Sequence, residues 1–155
     1  MNFYLMPAIE LGPLTVKRLM RQIPEQRWDE TLHPDRFTPR EVVAHLADWE
    51  PIMRERLRTA VTTPGQTIAA YDEGKMAVDH EYRATDPHEQ AELYRTDREI
   101  TAAFLRSVTP DQWRNTVHHP ERGLQSAEDL ANLILGHDLY HIEQLSEYLS
   151  SEVHA

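Results

Sequence analysis

Thr38-Pro39-Arg40-Glu41 fixes a helix start that the rest of the chain must accommodate. The threonine can cap, the proline occupies the first helical position where its missing N–H costs nothing, and the glutamate three residues on can close a capping box. Asp86-Pro87-His88-Glu89 repeats the device, and Ser126-Ala127-Glu128-Asp129 is a weaker version. Each is followed by a stripe at helical spacing: Val42, Leu46, Trp49, Met53, Leu57 and Ala60; then Leu93, Asp97, Ile100, Phe104 and Val108; then Leu130, Ile134, His137, His141, Leu145 and Tyr148.

A further helix carries Val16, Leu19, Met20 and Ile23 and ends near Ile23-Pro24-Glu25-Gln26, with Pro13 either starting it or kinking a longer one. Pro51 falls inside the second helix and is expected to bend it. Strand signals are thin, with no sustained alternation and no Asn-Gly turn. The sum is an all-α fold, a four-helix bundle in one domain over residues 1–155, with helices of roughly 20 to 25 residues spanning about 30 to 38 Å. The connection between the second and third helices, residues 62–85, is long enough to cross the bundle; Tyr71 to Tyr82 should form a short helix within it. Residues 109–125 read as irregular.

Composition narrows the chemistry. With no cysteine there is no disulfide, no zinc–thiolate knuckle and no cysteine nucleophile, so any thiol must come with a substrate. A net charge of −10 argues against nucleic-acid binding, which rests on lysine and arginine. Apolar runs are too short for a membrane span. The start, MNFYLMPAIELGP, shows no signal peptide, giving a cytoplasmic expectation.

His137 and His141 lie four apart, on one helical face, and within the apolar stripe. His45 lies three residues after Val42 and four before Trp49, also facing inward. Packed imidazoles need a partner for each ring nitrogen, and one shared cation would serve all three. His33, His88 and His154 read as solvated; His80, His118 and His119 sit in segments that can fold over a bundle end. Asp48 and Glu41, each one turn from His45, are candidates to orient its ring. Asp138 is rotated toward a neighbouring helix. Asp97 stands among apolar neighbours, to be matched by Arg98, a histidine or the site itself, or else turned to a salt bridge at the rim. Arg98 either steers an anionic substrate or is simply exposed.

FTPREVVAHLADWE and VHHPERGLQSAEDLANLILGHDLYHIEQL together resemble the DinB/YfiT-like superfamily of small helical metalloproteins, in the branch whose last loop carries an HP..G turn, here His119, Pro120 and Gly123. The resemblance implies up-down-down-up topology and a divalent metal, zinc or nickel first and then iron or manganese, held by His45, His137 and His141. It implies a metal-dependent thiol S-transferase that joins a small thiol to an electrophile in detoxification or stress, frequently as a homodimer. The rival expectations are a metal-dependent hydrolase, and a non-catalytic dimer stabilised by its metal. Phe3, Tyr4 and Leu5 are expected to be covered by a partner subunit.

Overall fold

The computed structural model describes residues 2–149, so His154 lies outside the described residues. Four long helices form the bundle: α1 (Leu5–Gln22), α2 (Pro39–Thr62), α4 (Pro87–Arg106) and α5 (Ala127–Ser146); α3 (Glu73–Asp79) lies in the long connection. The starts follow the sequence. Thr38 and Ser126 each close a capping box, and Asp86 accepts from the His88 and Glu89 amides.

α1 packs on α4 and α5, and so does α2, leaving α1 and α2 diagonal. Cross-helix contacts give the directions. Lys17 pairs with Glu92 at 2.6 Å and Glu10 with Arg106, so α1 and α4 are antiparallel. Arg40 reaches the Thr85 carbonyl ahead of α4, and Glu50 meets Arg98 further along, so α2 and α4 are parallel. Gln144 reaches the Phe37 carbonyl while His137 meets His45, so α5 opposes α2. The order is up-down-down-up, with the 62–85 connection returning the chain across the bundle. Among the described residues no helix is long and apolar enough to cross a membrane.

The core is split. Leu5, Ile9, Leu57, Leu105, Leu130 and Ile134 belong to one cluster; Val16, Met20, Val42, Leu46, Tyr94 and Leu145 belong to the other. Burying each such aliphatic side chain contributes about 1.5–3 kcal/mol, so these clusters hold the bundle. At mid-height, on all four helices, lies a charged layer. Arg98 is 3 % exposed and donates to Glu50 at 2.9 and 2.8 Å, to Asp138 at 2.6 and 3.0 Å, and to the Tyr94 hydroxyl at 2.9 Å. Tyr94 in turn donates to Asp138 at 2.5 Å. Burial, and then the Asp138 carboxylate, hold the tyrosine proton well above its ordinary range, keeping it a donor. Burial opposes the charge on Arg98, but Tyr94, Asp138 and Glu50 outweigh it.

Gly12-Pro13 in α1 is explained by this layer. α1 starts at Leu5 and runs through Pro13. A proline inside a helix deprives the carbonyl four residues back of its donor; that carbonyl, of Ile9, accepts instead from Arg98 Nη1 at 2.8 Å. A Cβ on Gly12 would lie 2.3 Å from Asp138 Oδ2, an atom that Arg98 holds in place. Gly12→Ala should therefore lower stability by about 1–3 kcal/mol through overpacking, against the gain of about 1 kcal/mol that alanine brings to a helix interior. The urea midpoint of the variant reads the sign.

Three expectations are corrected. The buried face of α4 is Ala91, Tyr94, Arg98, Thr101, Ala102 and Leu105, whereas Leu93 and Ile100 are about half exposed. The apolar count skipped the true face because an arginine lies at its centre. Residues 109–125 are not irregular throughout: β1 (Thr116–His119) and β2 (Gly123–Ser126) pair antiparallel, in strands too short to show alternation. Leu5 is fully buried within its own chain, leaving only Phe3 and Tyr4 exposed. The helix expected over Tyr71 to Tyr82 is present as α3, and α2 continues through Pro51.

Candidate metal centre

α2 points His45 into the bundle, fully buried and stacked on Trp49 with centroids 5.8 Å apart. The antiparallel α5 brings His137 and His141, one turn apart, against it. One ring nitrogen from each of the three lies within 4.8 Å of the others, and among the described residues no other group of histidines, carboxylates or cysteines meets this criterion. His137 Nε2 stands 2.9 Å from His45 Nε2 and 3.2 Å from His141 Nε2. Nitrogens bound tetrahedrally at 2.0–2.1 Å would be about 3.3 Å apart, so the spacing is close to what one ion needs.

Proton placement sharpens the point. Gln144 Nε2 donates to the Phe37 carbonyl at 2.9 Å, which turns Oε1 toward His141 Nδ1 at 3.1 Å. A carbonyl oxygen only accepts, so Nδ1 carries the proton and His141 Nε2 is a bare lone pair. A proton on His137 Nε2 can serve one of its two neighbours and not both; without it, two lone pairs oppose each other. No arrangement of neutral tautomers satisfies both contacts, whereas one cation does. Among the described residues, the buried His45 Nδ1 has no partner. Burial is the first cause that drives all three rings below the ordinary histidine range. His45 falls to about 3 and His137 to about 2, with neighbouring histidines adding to the effect, and His141 falls to about 4 despite the Gln144 bond. All three are neutral at pH 7, the form that ligates.

Two clefts reach His137. A narrow one, with a cavity volume of only about 40 Å³, has walls from Trp49, Met53, Glu73 and Arg122 and a floor from Glu50, Arg98 and Asp138. A wider one, with a cavity volume of about 330 Å³, also touches His141 and runs between Arg36, Phe37, Tyr140 and Glu73.

The expected orienting residues are placed differently. Asp48 accepts from the Tyr82 hydroxyl at 2.6 Å and pairs with His80 at 2.7 Å. Glu41 closes the α2 cap and pairs with Arg83. Neither bonds to His45. Asp97 pairs with Arg54 at 3.0 Å at the rim, the salt-bridge alternative. Arg98 is buried and committed to the charged layer, not exposed. Asp138 serves that layer, as its rotation implied. His119 is buried in the hairpin, and His118 is exposed. Gln144 is the orienting residue that was missed; its signal is only its place one turn after His141.

An antiparallel pair of bundle helices thus closes three neutral imidazoles, a group that could hold a metal ion, beside open clefts. The chain belongs to the DinB superfamily, whose family model matches residues 9–145. It is similar to YfiT of Bacillus subtilis, provisionally named a metal-dependent hydrolase, at 24% identity over 141 residues, covering 90% of this chain and 79% of YfiT. A relative from Oceanobacillus iheyensis with the same provisional name is 26% identical over 139 residues, covering 89% and 80%. The solved structure of YfiT, described as a four-helix bundle of unusual topology, superposes with a TM-score of 0.87 at 23% identity, over 93% of this chain and 83% of that one. A mycothiol-dependent maleylpyruvate isomerase shares the fold at a TM-score of 0.73 and 14% identity, with 91% of this chain covering 59% of that one.

Proposed function

We propose that His45, His137 and His141 hold a divalent metal ion and that the chain is a metal-dependent enzyme joining a low-molecular-weight thiol to an electrophile. The observation that carries this reading is the cluster of three imidazoles at the wall of an open cleft of about 330 Å³, which leaves room for an organic partner beside the ion. Three protein nitrogens leave a coordination position free, and a divalent ion there supplies the Lewis acidity that makes a thiol or a water nucleophilic near neutral pH. The chain's own residues do the rest. Gln144 fixes the His141 tautomer, Trp49 holds the His45 ring, and the apolar walls at Met53 and Trp49 limit water in the narrow cleft. With no cysteine of its own, the chain would take its thiol as a cosubstrate.

The second reading, a metal-dependent hydrolase, is supported by the provisional names of the two relatives. It needs one organic substrate and water. A metal used only to stabilise a dimer predicts no adjoining pocket, and two adjoin the cluster. Zinc-, nickel- or manganese-loaded protein incubated with bacillithiol, mycothiol or glutathione and a chlorinated electrophile should form the conjugate only when metal is present. Turnover of esters or amides without any thiol, and no conjugate, would favour the hydrolase instead.

A further inference from the structure

α3 is loosely packed for an element that walls a site. It has no buried residue, and of residues 69–81 only Met76 and Ala77 are even partly buried. Met76 alone of these packs against a core cluster. Yet among the described residues α3 is the one element that lines all three cavities leading to the imidazoles. Glu73 lines the narrow and the wide cleft, and Gly74 the wide one. Gly74, Ala77 and Val78 line an outer groove of about 630 Å³, which shares Asp35, Arg36 and Phe37 with the wide cleft. Glu73 and His137 are the only described residues common to the narrow and wide linings, so Glu73 stands on the partition between them.

Both ends of the segment are fixed. Before it, Ile68 is buried and the Ala69 carbonyl accepts from Arg56 Nη2 at 2.7 Å. After it, Tyr82 is buried and donates to Asp48 at 2.6 Å. Two further contacts hold the middle down. The Tyr71 ring meets Trp49 edge-on with centroids 5.9 Å apart, and His80 Nδ1 stands 2.7 Å from Asp48 Oδ2, both groups partly exposed. Between His80 and the Tyr82 anchor lies Glu81, at a φ of +50° the one non-glycine among the described residues in the left-handed region. Such a residue marks a backbone held in an unfavoured turn.

A seven-residue helix is too short to be stable by itself, and one with so few buried contacts belongs to the low-stability end of a fold. The narrow cleft, at about 40 Å³, holds water but no organic group, since small-molecule pockets run to about 300–1,000 Å³. We propose that residues 70–81 form a lid, anchored at Ala69 and Tyr82 and latched by His80 on Asp48, whose opening lifts Glu73 off the partition and joins the two clefts for an organic substrate. What passes beneath the lid rests on the metal reading; the motion does not, because every contact that holds it belongs to the chain.

The metal-free full chain tests it. By hydrogen–deuterium exchange, the α3 amides should exchange at least about a hundredfold faster than mid-helix amides of α2 and α5. His80→Ala, at a partly exposed position, should speed α3 a further two- to fivefold, about what a partly exposed pair supports. His80→Gln, which can still donate to Asp48, should recover part of that. Tyr71→Ala combined with His80→Ala should open the segment further. Diethyl pyrocarbonate, an organic reagent that modifies neutral imidazoles, should react faster with His137 and His141 in the same order of variants, while the exposed His33 and His88 keep their rates. Protection of α3 equal to that of α2 and α5, or no response to either variant, overturns the lid. Faster α3 exchange with unchanged His137 and His141 reactivity also overturns it, since the helix would then fray without uncovering the site. Failure of all these proteins to bind zinc would instead overturn the metal reading and leave the lid standing.

Discussion

Arg98→Met should cost about 3–5 kcal/mol of folding stability, the scale for breaking a buried ion pair by removing one partner. The methionine fills much of the same volume, so the loss comes from what is left behind. Glu50 and Asp138, each 2 % exposed, would face each other without a cation. The Ile9 carbonyl, already without its helical donor because of Pro13, would lose the guanidinium that replaces it. The intact layer is not for that reason a large source of stability, because desolvating three charges offsets most of their attraction. A triple variant, Arg98→Met with Glu50→Gln and Asp138→Asn, should recover part of the deficit. Urea denaturation of the wild type, the single variant and the triple variant measures both effects. A single variant within about 0.5 kcal/mol of wild type, the range of ordinary surface substitutions, would mean that the layer is hydrated and not buried.

This layer also marks where sequence reading runs out. The bundle was legible because its signals are local. Thr38, Asp86 and Ser126 cap the helices they announce, and the α2 and α5 stripes are buried as their spacing requires, apart from the partly exposed His137. The histidines were legible for the same reason, as polar residues interrupting apolar faces. Arg98 was misread because it sits between Asp97 and Glu99 in a run that looks solvated; its burial depends on Glu50, Asp138 and the Ile9 carbonyl, which lie 40 to 89 positions away. Asp97, taken as the odd core residue, is its half-buried neighbour on the helix, paired with Arg54. Gln144 escaped notice because nothing local separates a glutamine that orients a ring from one that faces solvent. The hairpin was lost to brevity, since four residues a side cannot show a period of two.

His137→Ala should reduce metal retention by at least about a hundredfold, beyond the 10–100-fold that follows loss of a residue merely supporting a ligand. His137 Nε2 is the nitrogen that both others face, at 2.9 and 3.2 Å, so its removal leaves two donors and not three. The ring is partly exposed at the meeting of the clefts, and the variant should fold. Its melting temperature should not respond to added metal. The wild type, by contrast, should gain about 4 kcal/mol at a free metal concentration a thousand times the dissociation constant, and chelation should abolish that gain. Acid sharpens the comparison. Folded-state values of about 3, 2 and 4 for His45, His137 and His141 lie below the unfolded value of about 6.5. Between pH 6.5 and 4 the unfolded chain takes up protons that the folded cluster refuses. Metal-free protein should thus lose stability as pH falls through that window, while the folded cluster stays neutral and able to hold its ion at pH 5.5. Elemental analysis of tag-free protein dialysed at pH 7.5 and 5.5 decides the matter: equal metal in wild type and His137→Ala would leave three packed neutral imidazoles with no ion to share.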